Sequence, residues 1–184
     1  LNGSRAAGTT GKCLVLITAD AERSMNTYLG ISETLSVEEL DADAIAASEY
    51  VYIEGYLVTS PTGLAAAVRA REIAEAAGVK TALSFSDPGM VEFFREGMAS
   101  IVGSGVDLVF CNEAEALQWG ETDSLQVAIE KLKRVARSFV ITLGANGAIT
   151  YDGKEQVSIP PHQVHAVDSN GAGDMFAGAF LYAI

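Results

Sequence analysis

Near its carboxyl end the chain reads Asp168-Ser169-Asn170-Gly171-Ala172-Gly173-Asp174, followed at once by the apolar, small-residue segment Met175 to Leu181. That segment reads as a buried helix, so the glycines form a loop feeding its N-terminus. A helix start carries unpaired N–H groups and a partial positive charge, which suit an anion. Glycine lets the backbone approach a ligand that a side chain would hold off. A carboxylate in the same place, Asp174, repels an anion unless it takes part in the chemistry. General-base work is one such part. In phosphoryl transfer an aspartate takes the proton of the attacking hydroxyl, while backbone N–H groups hold the growing charge. A plainer reading stands beside it, because acidic residues cap first turns without any catalysis.

These residues need a scaffold. Tyr50 to Ile53, Val79 to Phe85, Val106 to Phe110 and Phe139 to Leu143 are apolar strand signals. Ser60-Pro61 opens a helix that stops at Gly78, and Asp87-Pro88 opens another through about Ile101. Asn112 opens a short helix, and Asp123 to Arg137 is amphipathic. Wholly apolar strands alternating with helices imply an α/β fold with a mostly parallel sheet covered on both faces. Ligands gather at the carboxyl ends of such strands. Glu54, Asp87, Asn112 with Glu115, and Thr142 with Gly144 fall at those ends. Gly147 to Tyr151 and Gln156 to Ile159 read as strands joined at Asp152-Gly153 by a type I′ turn. Cys13 to Thr18 and Met25 to Ile31 suggest an antiparallel hairpin about a polar turn, and Ser36 to Glu39 a capping box before a short helix. The expected organisation is a single α/β domain over 1–184, with about 12–31 as a lid hairpin and about 36–184 as the core.

The composition narrows the partners. The chain has 184 residues, 49% hydrophobic and 20% charged, which argues for an ordered globular protein. No apolar run approaches the roughly 18 residues of a membrane span, and no signal peptide opens the chain. Twelve basic against 24 acidic residues give a formal charge of -12, which disfavours nucleic acid and anionic membrane as partners. A phosphate ligand would then rely on helix dipoles, backbone amides and a divalent metal. Cys13 and Cys111 make no metal or redox spacing, so a cytoplasmic location is expected. His162 and His165 lie in a proline-flanked loop without a ligand cluster, which favours a surface role. Gly178 falls too late to complete a dinucleotide fingerprint, and no glycine loop ends in Gly-Lys-Ser/Thr. Asn112 to Glu115 reads first as a variant capping box. Glu115 also brings a carboxylate to a strand end, where hydrated Mg2+ could sit beside phosphates.

Together these motifs resemble the phosphofructokinase-B, or ribokinase-like, family of carbohydrate and nucleoside kinases, and within it the adenosine kinase-like branch. Asp168 to Asp174 matches the family signature Asp-Thr/Ser-x-Gly-Ala-Gly-Asp at every defined position. Asn112 and Glu115 match its Asn-x-x-Glu, and Thr142-Leu143-Gly144 with Gly147 match its Thr-Leu-Gly strand end. The likeness covers roughly residues 12–184. It implies a three-layer α/β/α fold with a small β lid, and a chain incomplete at both ends. It implies ATP, Mg2+ and a monovalent cation such as K+ as cofactors, and a homodimer through the lid. The implied reaction is phosphorylation of a hydroxymethyl group on a small-molecule sugar or nucleoside. By the same resemblance Asp174 is the base, and Gly171, Ala172 and Gly173 form the anion hole. Asn112 and Glu115 organise Mg2+ and phosphate through water, while Thr142, Gly144 and Gly147 lie near the nucleotide. Asp168 helps hold the monovalent cation. Leu16 to Ser24 looks like the lid of the adenosine kinase-like branch, which makes Arg23 a clamp on the transferred phosphate; a solvated turn arginine is the other reading. Glu54 and Tyr56 are expected in the wall of the acceptor pocket. Two other classes stay open: a non-catalytic nucleotide- or sugar-binding fragment of this fold, and a nicotinamide-dependent oxidoreductase, against which the late glycine argues.

Overall fold

The computed structural model describes residues 7–19 and 23–184. The described residues fall into two compact units, one from Glu33–His162 and one from Ala6–Ser32 with Gln163–Ile184. Of the polar turn expected in the lid, residues 20–22 lie outside the described ones.

In the smaller unit, β1 (Lys12–Ile17) pairs antiparallel with β2 (Arg23–Tyr28), Leu14 facing Asn26 and Ile17 facing Arg23. The second strand stops short of the expected Ile31, because Gly30 turns at φ 56 into a 3-10 helix over Gly30–Thr34. Neither face of this ribbon is buried: Leu14 and Leu16 are 62% and 53% exposed on one side, and Ile17 is 45% exposed on the other.

The larger unit begins with the expected capping box. Ser36 N–H donates to Glu39 Oε2 at 2.8 Å and Glu38 N–H to Ser36 Oγ at 3.2 Å. It caps a 3-10 turn, Val37–Glu39, rather than an α-helix; α1 (Ala42–Ala46) follows under its own Asp41 cap. Then β3 (Tyr50–Glu54), β4 (Lys80–Ser84), β5 (Val106–Asn112), β6 (Ala136–Thr142), β7 (Ala148–Tyr151) and β8 (Gln156–Ile159) form one sheet in that order. β3 to β6 are parallel, and β7 and β8 return antiparallel. Leu83, Phe85, Val109, Phe139 and Ile141 are wholly buried at the centre. Burying each large apolar side chain stabilises the fold by roughly 1.5–3 kcal/mol.

Helices connect the parallel strands, and local chemistry sets α2 (Pro61–Ala77) almost alone. Ser60 Oγ accepts from Gly63 N–H at 3.0 Å, Pro61 occupies the first turn, and Gly78 closes the end at φ 71. Ala66, Ala67, Ala70 and Ala74 are buried along it, small enough for close packing.

Three boundaries differ from the sequence pattern. The helix expected from Pro88 to Ile101 is broken at Phe94 into α3 (Pro88–Phe93) and α4 (Arg95–Val102). Arg95, at the break, donates to the carbonyls of Gln118 and Trp119 at 3.0 and 2.7 Å, so a distant tie fixes the chain there. Those carbonyls belong to α5 (Glu113–Gly120). The helix expected from Asp123 to Arg137 shrinks to α6 (Leu125–Leu132), because Val135 already bonds to Val106 and Ala136 pairs with it in the sheet. The expected type I′ turn is a longer loop, residues 152–155, since Tyr151 pairs with Gln156. Asp152 Oδ1 accepts from Lys154 and Glu155 N–H at 2.8 and 2.7 Å, and these donors, Glu155 first, hold the carboxyl below the usual range.

The smaller unit ends with α7 (Ala172–Ala183). It was expected to be buried. Only Ala177 is, while Met175 and Tyr182 are 75% and 94% exposed. Apolar composition established the helix and its start, but burial depends on what packs against it. Among the described residues, no helix is long and apolar enough to cross a membrane.

Candidate active site

The larger unit gathers its polar candidates along one sheet edge. Glu54, Ser84, Asn112 and Thr142 are the last residues of β3, β4, β5 and β6. Glu54 pairs in register with Ser84 and Asn112 with Thr142, while Ser84 pairs with Phe110, so β5 and β6 end together a step beyond β3 and β4. Parallel register turns four separate stretches of sequence into one carboxyl edge.

Asn112 and Glu115 form a complete reciprocal cap of α5. Asn112 N–H donates to Glu115 Oε2 at 2.9 Å, and Asn112 Nδ2 donates to Glu115 Oε1 at 2.8 Å. Glu115 N–H returns a bond to Asn112 Oδ1 at 2.8 Å. Glu115 is only 5% exposed, and its charge helps raise the thiol of neighbouring Cys111, which burial raises most. Both carboxylate oxygens thus serve the cap first.

Past β6, Leu143 N–H donates to the Gly147 carbonyl at 2.8 Å, closing a loop over the 3-10 turn Gly144–Asn146. The two glycines differ in kind. A Cβ on Gly147 would lie 2.0 Å from the Ile159 carbonyl oxygen, so packing within the chain demands glycine. Gly144 adopts φ +55, yet a Cβ there meets no described atom within 4 Å.

At the other end of the edge, Glu54 Oε2 accepts from Ser86 Oγ at 2.7 Å. The sequence pattern did not single out Ser86. Its only local signal is its place before the Asp87-Pro88 helix start, where Asp87 Oδ1 accepts from Gly89 N–H at 2.7 Å. Tyr56, 39% exposed, sits in the 3-10 turn Gly55–Thr59 beyond β3.

The glycine loop belongs to the smaller unit. Asp168 Oδ1 accepts from Asn170 N–H at 2.7 Å, and Ala172 N–H reaches the Ser169 carbonyl at 3.2 Å. Gly171 turns the chain at φ 74 into α7, and no side chain caps that helix. Asp174 lies in the first turn and is exposed. A Cβ on Gly173 meets no described atom within 4 Å outside its own helix, so folding alone gives no reason for glycine there. Arg23 Nη1 donates to the Ser169 carbonyl at 3.1 Å, bringing the start of β2 against this loop. The sequence could not show that contact, which spans 146 residues. The assembled loop offers amide donors, a helix dipole, an exposed carboxylate and one guanidinium, which suit a proton transfer beside an anion.

No group of three metal-ligating side chains occurs among the described residues. His162 and His165 are exposed.

Comparison with known proteins gives the family and the fold. The profile of the pfkB family carbohydrate kinases matches residues 4–184. An adenosine kinase from Schizophyllum commune is 33% identical, over 95% of this chain and 56% of its own length. The crystal structure of an adenosine kinase from Sinorhizobium meliloti superposes with a TM-score of 0.89 at 38% identity, covering 94% of this chain and 54% of that one. A probable sugar kinase from Rhizobium etli CFN 42 gives a TM-score of 0.92 at 34% identity, over 99% of this chain and 56% of that one. The chain thus spans about half the length of the relatives it matches.

Proposed function

This chain belongs to the pfkB family of carbohydrate kinases, and we propose that the protein carrying it transfers the γ-phosphoryl group of ATP to a hydroxymethyl group of a nucleoside or sugar. The observation that carries this reading is the start of α7, where Gly171 turns the chain, no side chain caps the helix, and Asp174 stands exposed in the first turn. Asp174 takes the proton of the acceptor hydroxyl. The amides of Gly171 and Gly173, joined by that of Ala172 when it leaves the Ser169 carbonyl it reaches at 3.2 Å, hold the charge of the transferred group, and Arg23, against the same loop, adds a cation to it. Adenosine is the acceptor to test first, given the adenosine kinases at 33% and 38% identity.

Thr142, Gly144 and Gly147 form the nucleotide side of the carboxyl edge, and Glu54 and Tyr56 the acceptor side. Mg2+ suits Asn112 and Glu115 only through water, because both Glu115 oxygens already accept from Asn112. Magnesium keeps several waters and takes few protein ligands, so the lack of a three-ligand cluster among the described residues fits it. Bound there, the metal would neutralise phosphate charge. A monovalent cation at Asp168 would meet a carboxylate whose Oδ1 already holds Asn170 N–H; exchanging K+ for a bulky organic cation reads its contribution. A cytoplasmic location suits the ATP donor. The exposed apolar ribbon of β1 and β2 supports dimerisation, which sedimentation of the full-length protein reads.

Asp174→Asn in the full-length protein tests the mechanism. Losing a general base costs about 100- to 10,000-fold in kcat, with ATP affinity little changed. Near-normal turnover in that variant would remove the mechanism. A full-length wild type that releases no ADP with any of a panel of nucleosides and sugars would remove the kinase reading itself.

A further inference from the structure

We propose that Ser86 is a positioning residue, held in a strained backbone conformation to fix the carboxylate of Glu54 toward the acceptor. The inference rests on the kinase reading above.

Ser86 adopts φ 69 and Glu121 φ 46, and they are the non-glycine residues at positive φ among the described ones. Glu121 has an ordinary reason, since it ends α5 as a left-handed cap. Ser86 ends no helix. It stands between β4 and α3, where glycine or asparagine would take the left-handed region at less cost. Such strain persists only where the surroundings impose it, and it clusters at functional sites.

The surroundings do impose it. Ser86 N–H donates to Ser84 Oγ at 3.1 Å, and Asp87 N–H to the Phe85 carbonyl at 2.8 Å. A Cβ on Gly55 would lie 2.8 Å from the carbonyl oxygens of both Ser84 and Phe85, so the ends of β3 and β4 meet backbone to backbone. The outcome is a short bond from Ser86 Oγ to Glu54 Oε2 at 2.7 Å, against which the same hydroxyl's approach to the Ser84 carbonyl, at 3.4 Å, is long.

The turn does not require that contact. Asp87 already caps α3, and the Ser84 hydroxyl already braces the bend. The bond to Glu54 instead removes the rotamer freedom of a long acidic side chain at the last residue of β3. Among the described residues, Glu54 Oε1 accepts from no protein donor. One oxygen is pinned, and the other is presented at the carboxyl edge, where a substrate hydroxyl can donate to it. A site built to accept from a hydroxyl discriminates strongly against acceptors that lack it.

The test is a double-mutant cycle in the full-length protein, with adenosine and ribose as acceptors. Ser86→Ala and Ser86→Gly should each raise the KM of the better acceptor about tenfold, as expected for losing a hydrogen bond to a charged group, with kcat and the KM for ATP little changed. Ser86→Gly also relieves the backbone, so it should melt no lower than wild type; a turn role alone would leave the acceptor KM unmoved in that variant. The pair Ser86→Ala with Glu54→Gln should cost no more than Glu54→Gln alone. Unchanged acceptor KM in both serine variants, or full additivity in the cycle, overturns the proposal while the kinase reading stands. A wild type without acceptor-dependent ADP release sinks the kinase reading instead. Crystal structures then read the pair without turnover: one Glu54 rotamer in wild type and several in Ser86→Ala support it, and one rotamer in both overturns it.

Discussion

Glycines that look alike in the sequence do different work in this molecule. Gly147 is demanded by packing, with φ 91 and the Ile159 carbonyl oxygen 2.0 Å from where a Cβ would stand. Gly173 has open space on the side where a Cβ would point. Gly147→Ala should therefore destabilise the fold by about 1–3 kcal/mol through overpacking and strain, read as a lower urea midpoint. Gly173→Ala should leave the midpoint unchanged or raise it, since alanine favours a helix by up to about 1 kcal/mol, yet it should impair phosphoryl transfer by crowding the anion. The chemical types at Asp174, Asn112 and Glu115 were legible in the sequence because a short local pattern carries each. Ser86 and the Arg23 contact were not, because a positive φ and a contact across 146 residues leave no local mark. The cysteines separate in the same way. Cys13 is exposed and Cys111 buried, and burial, then the charge of Glu115, raises the Cys111 thiol well above the ordinary 9.0. A thiol reagent at pH 8 should modify Cys13 quickly and Cys111 only as the protein opens. Because the unfolded chain releases that proton first, the contribution of Cys111 to stability is full below the ordinary thiol value and declines as pH rises above it. Cys111→Ala should flatten that alkaline decline.

Among the elements, those governed by their own ends matched the sequence and those governed by distant partners did not. α2 runs from its Ser60 cap to Gly78 as its sequence states. The break at Phe94 and the short α6 depend on Arg95 reaching α5 and on Val106 bonding Val135; the loop after β7 is the local exception, set by Asp152 bonding its own loop amides. Caps also let stability and function be separated. Ser60→Ala removes the cap of α2, away from Thr142, Gly144 and Gly147 on the nucleotide side, and should cost about 1 kcal/mol, with the KM for ATP unchanged. Asn112→Ala removes the two side-chain bonds of the α5 cap, Nδ2 to Glu115 Oε1 and Glu115 N–H to Oδ1, while the backbone N–H stays on Oε2 of a Glu115 that is 5% exposed. Its stability cost should be similar or larger, about 1–2 kcal/mol, and the KM for ATP should rise as well. Urea denaturation and steady-state kinetics on the two variants check the contrast. An unchanged KM for ATP in Asn112→Ala would leave the motif a cap and nothing more.

At the scale of the molecule, charge sets the terms on which a nucleotide can bind. The chain carries a net -12; of its 12 basic residues, Lys131, Lys133, Arg134 and Arg137 fall within one short stretch, and Lys154 follows in the loop after β7. The first four flank the start of β6, and β7, pairing back along β6 from Thr142 to Phe139, returns Lys154 toward the same end. The larger unit's candidate residues are at the opposite end, where β3 to β6 finish in Glu54, Ser84, Asn112 and Thr142, one acid and no base. A polyphosphate approaching that edge meets the field of the whole acidic chain, with local cations displaced to the far end of the sheet. Repulsion of this kind acts over the Debye length, which shrinks from about 30 Å at 0.01 M salt to about 10 Å at 0.1 M. On the proposed kinase reading, added salt should therefore strengthen nucleotide binding, the reverse of the usual weakening at a basic site. The KM for ATP at saturating Mg2+ should fall severalfold between about 0.01 and 0.1 M salt, while the KM for an uncharged acceptor stays level. Tetramethylammonium chloride is the salt to use, because it screens without offering a small monovalent cation to Asp168. A KM for ATP that rises with this salt would mean that cations near the bound nucleotide outweigh the acidic field of the chain.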